Sequence, residues 1–247
     1  MSLETAFQAV NDAYLNGDTD QAQKLNTALL AQNPNYAPAL FLEAQISVSF
    51  DLVAKKRLIL LTKAIENDPN NQEYLVTRAE TYLVADHDEI VAVGFDRDKK
   101  YLHKALEDAD KVIEIDMFAE YGAQAYEIKA KAYVSLEKYE DAVNAWEMCR
   151  TVSERHTSTA LSLIGQIRTE SMQDYVGALA AYDEYVAYEN NEDNIYKSDV
   201  SKAEAYYYRG KLKIDYLNDK TSGVADLKAA SELNQSDFYT EEYESSK

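Results

Sequence analysis

Cysteine is almost missing from this chain. Cys149 stands alone, which excludes an intramolecular disulfide and a cysteine-rich metal centre. Histidine is nearly as scarce: no two of His87, His103 and His156 have metal-ligand spacing, so no His-based metal cluster is expected. Only 7 glycines and 3 prolines occur in 247 residues, too few for a turn-rich β protein and well suited to helix. The glycines are isolated, so no phosphate-cradling loop exists, and a Gly-x-Ser-x-Gly elbow is absent. No apolar run approaches the ~18 residues of a membrane span. Met1 to Phe7 has neither the basic start nor the apolar stretch of a signal peptide. A cytoplasmic location is therefore the default expectation, a processed form of an exported protein being the alternative.

Positive charge is the other deficit. Lys and Arg number 25 against 44 Asp and Glu, a formal net charge of −19. Such a surface repels phosphate backbones and anionic headgroups, so neither nucleic acid nor membrane is an expected partner. A basic peptide or protein surface is compatible with it, although acidity also serves solubility. With so many acids, carboxylate pairs arise unavoidably and mark no active site. Catalysis needs a pocket that shifts a pKa, and no motif points to one. No enzyme activity, cofactor or metal is expected. The run Asp86-His87-Asp88-Glu89 with Asp96 and Asp98 lacks the spacing and glycine of a calcium loop and reads as a solvated loop. Cys149 reads as a small core residue rather than a nucleophile.

What the chain does have is a period. Pro34 and Pro69, Ala44 and Ala79, and Ala130 and Gly165 recur at roughly 35 residues, the mark of stacked helical repeats. The clearest unit runs from Gly122 to Thr151. Tyr126, Ala130 and Tyr133 share one helical face; a break follows at Glu137-Lys138; then Ala142 and Trp146 sit one turn apart on a second helix. Small residues where helices cross permit close approach, and aromatic rings fill the space beside them. This pattern resembles the tetratricopeptide repeat, with Glu154 standing where the closing proline would be. Leu40 and Ala44, Arg78-Ala79 and Tyr82, Leu161, Gly165 and Tyr182, and Arg209-Gly210 continue the scheme.

The resemblance implies an all-α, right-handed α-solenoid of about six helix pairs in a single domain. The approximate repeats are 3–36, 37–71, 72–119, 122–156, 158–189 and 200–236, with an insertion at 86–100 and a frayed acidic tail at 237–247. Ile90 to Phe95 within the insertion are apolar enough to pack, while a shorter insertion near Glu189 to Val200 is polar at Asn190 to Asn194 and solvated. The resemblance also implies a concave groove lined by first helices, where a peptide or helix of a partner protein docks. Mapping by helical period places Phe7, Asn11, Tyr14, Phe41, Gln45, Val76, Glu80, Glu127, Lys131, Tyr207 and Lys211 on that wall. The set lacks the grouped cations that a clamp for a chaperone's C-terminal carboxylate requires. The expected function is a non-catalytic interaction scaffold. Sensing of a small peptide or metabolite, a structural role in a larger assembly, and self-association through terminal repeats are the alternatives.

Overall fold

The computed structural model describes residues 2–46, 53–93 and 99–247. Thirteen helices account for most of them, and no strand occurs among the described residues. They are α1 Leu3–Leu15, α2 Thr19–Gln32, α3 Ala37–Ile46, α4 Val53–Asn67, α5 Gln72–Val93, α6 Lys100–Asp116, α7 Gly122–Ser135, α8 Tyr139–Val152, α9 Thr157–Gln166, α10 Tyr175–Asn190, α11 Asp199–Asp215, α12 Lys220–Leu233 and α13 Asp237–Ser246. A 3-10 turn, Glu154–His156, precedes α9, and a π turn, Ile167–Ser171, follows it. The contacts divide the chain into two compact units, one ending at Leu136 and the other starting at Glu137.

Local chemistry explains where the helices start. The side chains of Ser2 and Asp18 accept the backbone N–H groups of Thr5 and Gln21, and Asp174, Ser198 and Asp219 cap α10, α11 and α12 in the same way. Each satisfies a donor that the first helical turn leaves without a partner. Gly17, Glu137, Gln173 and Asn218 all have positive φ, and each directly precedes the cap of a second helix. One turn geometry thus recurs along the chain even where the residue is not the glycine that this conformation favours.

In the first unit consecutive helices pack on one another, and the first helices of successive pairs also touch, α1 with α3 and α5 with α7. Alanines mark the crossings: Ala44, Ala64, Ala79, Ala105 and Ala109 are wholly buried, with Leu40, Leu75, Tyr82, Val112 and Ile128 around them. In the second unit Trp146 and Cys149 are buried on α8, and Leu161, Tyr182, Tyr185 and Leu212 fill the space between α9, α10 and α11. Gly165 permits one of these contacts, because a Cβ there would lie 2.2 Å from the ring of Tyr182. Gly210 and Gly223 let α11 and α12 approach backbone to backbone.

Three expectations change. The tail is not frayed: Asp237–Ser246 forms α13, which packs on α12 and sets Phe238 and Tyr239 against Tyr207. The first part of the 86–100 insertion lengthens α5 to 22 residues. The side chains of Asp86 to Val93 and the whole of 94–98 lie outside the described residues, so the expected packing of Ile90 to Phe95 and the acidic run fall there. The polar insertion is not wholly solvated. Asn194 is 2% exposed; its amide donates to the Tyr188 carbonyl at 3.1 Å and its oxygen accepts the Tyr196 N–H at 2.8 Å. Glu189, 1% exposed, accepts from the Ser158 hydroxyl at 2.5 Å and the Ser198 N–H at 3.3 Å. Asn and Glu side chains here satisfy backbone groups that a loop cannot pair by itself.

Candidate functional site

Four of the nine groove residues expected in the first unit, Phe7, Tyr14, Phe41 and Val76, serve packing. Phe7 meets Tyr36 edge to face at 5.6 Å, and Tyr14 joins the same apolar cluster, with Asn11 half-exposed between them on α1. Phe41 lies on Tyr74 at 4.6 Å, and burial, with Asp68 and Glu73 nearby, pushes the Tyr74 phenol up to about 12. Gln45 accepts from the Arg57 guanidinium at 3.2 Å. Val76 does not face a groove: it is 2% exposed, because α4, α6 and α7 all pack on α5 and leave this face no opening. Glu80 is exposed and accepts from Gln124 at 2.6 Å, which ties α5 to α7. Glu127 and Lys131 form an ion pair one turn apart on α7, at 2.5 Å.

The second unit brings two of the expected residues into one cavity. Tyr207 and Lys211, one turn apart on α11, line a space of about 180 Å³ shared with Gln166, Thr169, Glu170, Tyr182, Tyr208, Asp215 and Tyr216. Tyr182 is buried and stacks on Tyr208, centroids 5.8 Å apart and planes within 9°. Tyr207 lies edge-on to Tyr208 at 5.4 Å and touches Phe238 and Tyr239 of α13 at 5.1 and 5.6 Å. The π turn supplies the opposite wall. Its wider winding carries Thr169 and Glu170 to the cavity, while the Thr169 hydroxyl donates to the Gly165 carbonyl at 2.8 Å. Arg168 of the same turn pairs with Asp174 at the start of α10.

The electrostatics are lopsided. Lys211, the cation of the cavity, is neutralised twice, by Asp215 at 3.1 Å and by Glu242 of α13 at 3.5 Å. Glu170 is exposed at the rim. Burial pushes the Tyr182, Tyr207 and Tyr208 phenols upward; Glu242 adds to this at Tyr207, and Glu204 and Glu170 at Tyr208. The rings therefore stay neutral O–H donors at physiological pH. Glu204, half-buried on α11, accepts from the Tyr185 hydroxyl at 3.2 Å; burial holds its carboxyl above the ordinary range, and Glu189 adds to that. The arrangement is a small aromatic cavity rimmed by carboxylates, suited to a cation that presents an apolar stem.

The sequence indicated Tyr207 and Lys211 by helical spacing but not their surroundings. Tyr182 belonged to the core pattern of another helix, the π turn leaves no compositional mark, and α13 sat in the segment assigned to an acidic tail. The run Tyr206-Tyr207-Tyr208 was the one available signal, since three adjacent rings cannot all face one core. Among the described residues no group of three or more His, Cys, Asp or Glu is placed to hold a metal ion. No helix among them is long and apolar enough to cross a membrane.

No protein-family model matches the chain, and no curated protein matches it. Solved structures do. A tetratricopeptide repeat protein from Parabacteroides merdae is 15% identical, covering 98% of this chain and 82% of its own, with a TM-score of 0.54. PilF of Pseudomonas aeruginosa is 14% identical over 99% of this chain and 97% of its own, at 0.61. YrrB, described as a tetratricopeptide repeat protein with an unusual peptide-binding site, is 15% identical over 89% and 97%, at 0.58. The chain has the tetratricopeptide-repeat fold, a helical solenoid of paired helices.

Proposed function

We propose that this protein is a non-catalytic interaction scaffold that docks a segment of a partner protein, and that the cavity beside α11 receives a Lys or Arg side chain of that segment. The observation that carries this reading is the cavity itself, four tyrosines with Glu170 and Asp215 in its lining and Glu242 paired with its Lys211. A cation over tyrosine faces gains about 0.5–2 kcal/mol, depending on how far it is desolvated. The aliphatic stem of Lys or Arg would pack along Tyr207, and the tyrosine hydroxyls and Thr169 would hold the segment's backbone. Glu80, Glu127 and Lys131 on α5 and α7 are proposed as further contacts in the first unit, and the cytoplasm as the compartment.

Selection of random peptides displayed against the full chain tests this. Peptides enriched by the parent protein should carry Lys or Arg, and enrichment should be lost with Tyr207→Ala and with Glu170→Lys while circular dichroism stays unchanged. Enrichment without basic residues, or enrichment that survives both substitutions, would remove the cavity from the function.

A further inference from the structure

A second cavity, in the first unit, has the opposite character. Lys55, Ile59, Thr62 and Lys63 on one face of α4 look across about 390 Å³ at Tyr82 of α5 and Lys104 of α6, a volume within the ordinary range for ligand sites. Tyr82 is buried and stacks on Tyr101, 5.6 Å between centroids, and the Lys104 ammonium lies 5.4 Å from the Tyr82 ring. Behind the ring, Arg78 is already neutralised by a two-point pairing with Asp108, and its remaining arm donates to the Thr62 hydroxyl oxygen at 3.2 Å. That contact uses the oxygen as acceptor and leaves the hydroxyl hydrogen to donate.

Charge points to the occupant. Acids exceed bases by 44 to 25 in this chain, and cations such as Lys56, Lys129 and Arg150 pair with carboxylates. Among the described residues Lys55, Lys63 and Lys104 pair with none. Three ammonium groups around one opening repel one another, and an anion between them removes that cost. Among the described residues Glu66 is the one carboxylate in the lining, and the fields of Asp108 and Glu107 reach Tyr82. An extended acidic segment would run on across a surface of like charge. A compact dianion concentrates its charge where the lysines stand and little elsewhere. Ile59, 52% exposed, adds an apolar wall for whatever carries that dianion.

We propose that this cavity binds the phosphate monoester of a phosphorylated segment in a partner protein, with Lys55, Lys63 and Lys104 around the phosphate and the Thr62 hydroxyl donating to it. The site is separate from the tyrosine cavity beside α11 and does not depend on its role. Calorimetric titration of the full chain tests it, using a short uncharged peptide with one phosphotyrosine, the same peptide without phosphate, and inorganic phosphate. The phosphopeptide should bind saturably at one site per chain, the plain peptide not at all, and the affinity should fall as salt rises from about 50 to about 200 mM. Lys63→Glu with Lys104→Glu should weaken binding by at least about tenfold, and Lys63→Gln with Lys104→Gln by a smaller factor. The milder pair keeps the test open if charge reversal disturbs folding. Equal binding of the two peptides, affinity untouched by either pair of substitutions, or inorganic phosphate binding as tightly as the phosphopeptide would each overturn the proposal.

Discussion

Glu204 shows how one side chain can couple folding stability to pH. It is half-buried on α11 under the Tyr185 hydroxyl, and burial first, then Glu189, holds its carboxyl above the ordinary 4.5. The folded chain thus keeps this proton to a higher pH than the unfolded chain does. Between the two pKa values the native state binds more protons, and stability falls as pH rises through that window. Glu204→Gln keeps an acceptor for Tyr185 and removes the charge. Thermal melts from about pH 4 to about pH 7.5 should show the variant level with the parent at the acid end and more stable at neutral pH; equal melting temperatures at neutral pH would disprove the coupling. Some residues were readable at this scale before any coordinates. Tyr207 and Lys211 follow from a 3.6-residue period, because an exposed stripe beside a packed one repeats with the helix. Val76 fails the same argument, since the period tells which residues share a face but not that three other helices cover α5.

A recurring ion pair organises the helix pairs. Arg78 precedes the small residue Ala79 on α5 and reaches Asp108 on α6 with two bonds, 2.8 and 2.6 Å. Arg209 precedes Gly210 on α11 and reaches Asp226 on α12 in the same way, at 2.9 and 2.7 Å. Asp108 and Asp226 are both buried, and a planar guanidinium fork meets such a carboxylate at two points. Asp108→Ala would strand a guanidinium that is 17% exposed, and should cost about 3 kcal/mol in a denaturant titration. Arg78→Met combined with Asp108→Leu removes both charges and should fall within about 1 kcal/mol of the parent. A single variant as stable as the double one would deny the pair any role. The alanine period made the helix pairs legible, but this bridge was hidden because its partners meet only once the register of two helices is fixed. The same holds for α13. Its ten residues are mostly polar, and they gain a reason to be helical only when Phe238 and Tyr239 find Tyr207.

Across the molecule each unit has its own apolar core, and both share a chain with an excess of 19 negative charges. Like charges held together in a compact state repel, and unfolding relieves that repulsion. Salt therefore acts in two opposing ways. It screens the net repulsion, and it weakens exposed pairs such as Glu127–Lys131 and Lys228–Glu232. Exposed pairs contribute only about 0–1 kcal/mol each, and the largely buried Arg78–Asp108 and Arg209–Asp226 bridges are screened less than surface charges. Relief of repulsion should dominate. Raising sodium chloride from about 0.02 M to about 0.3 M, where the screening length drops below ~10 Å, should stabilise the chain by on the order of 1 kcal/mol. For a chain of this size that corresponds to a rise of about 2–4 °C in melting temperature, measurable by calorimetry. Sodium fluoride and sodium chloride at equal ionic strength should agree over this range, which separates screening from solvent exclusion by the anion. A melting temperature that falls with salt would mean that surface ion pairs, rather than core packing and the buried bridges, hold the solenoid together.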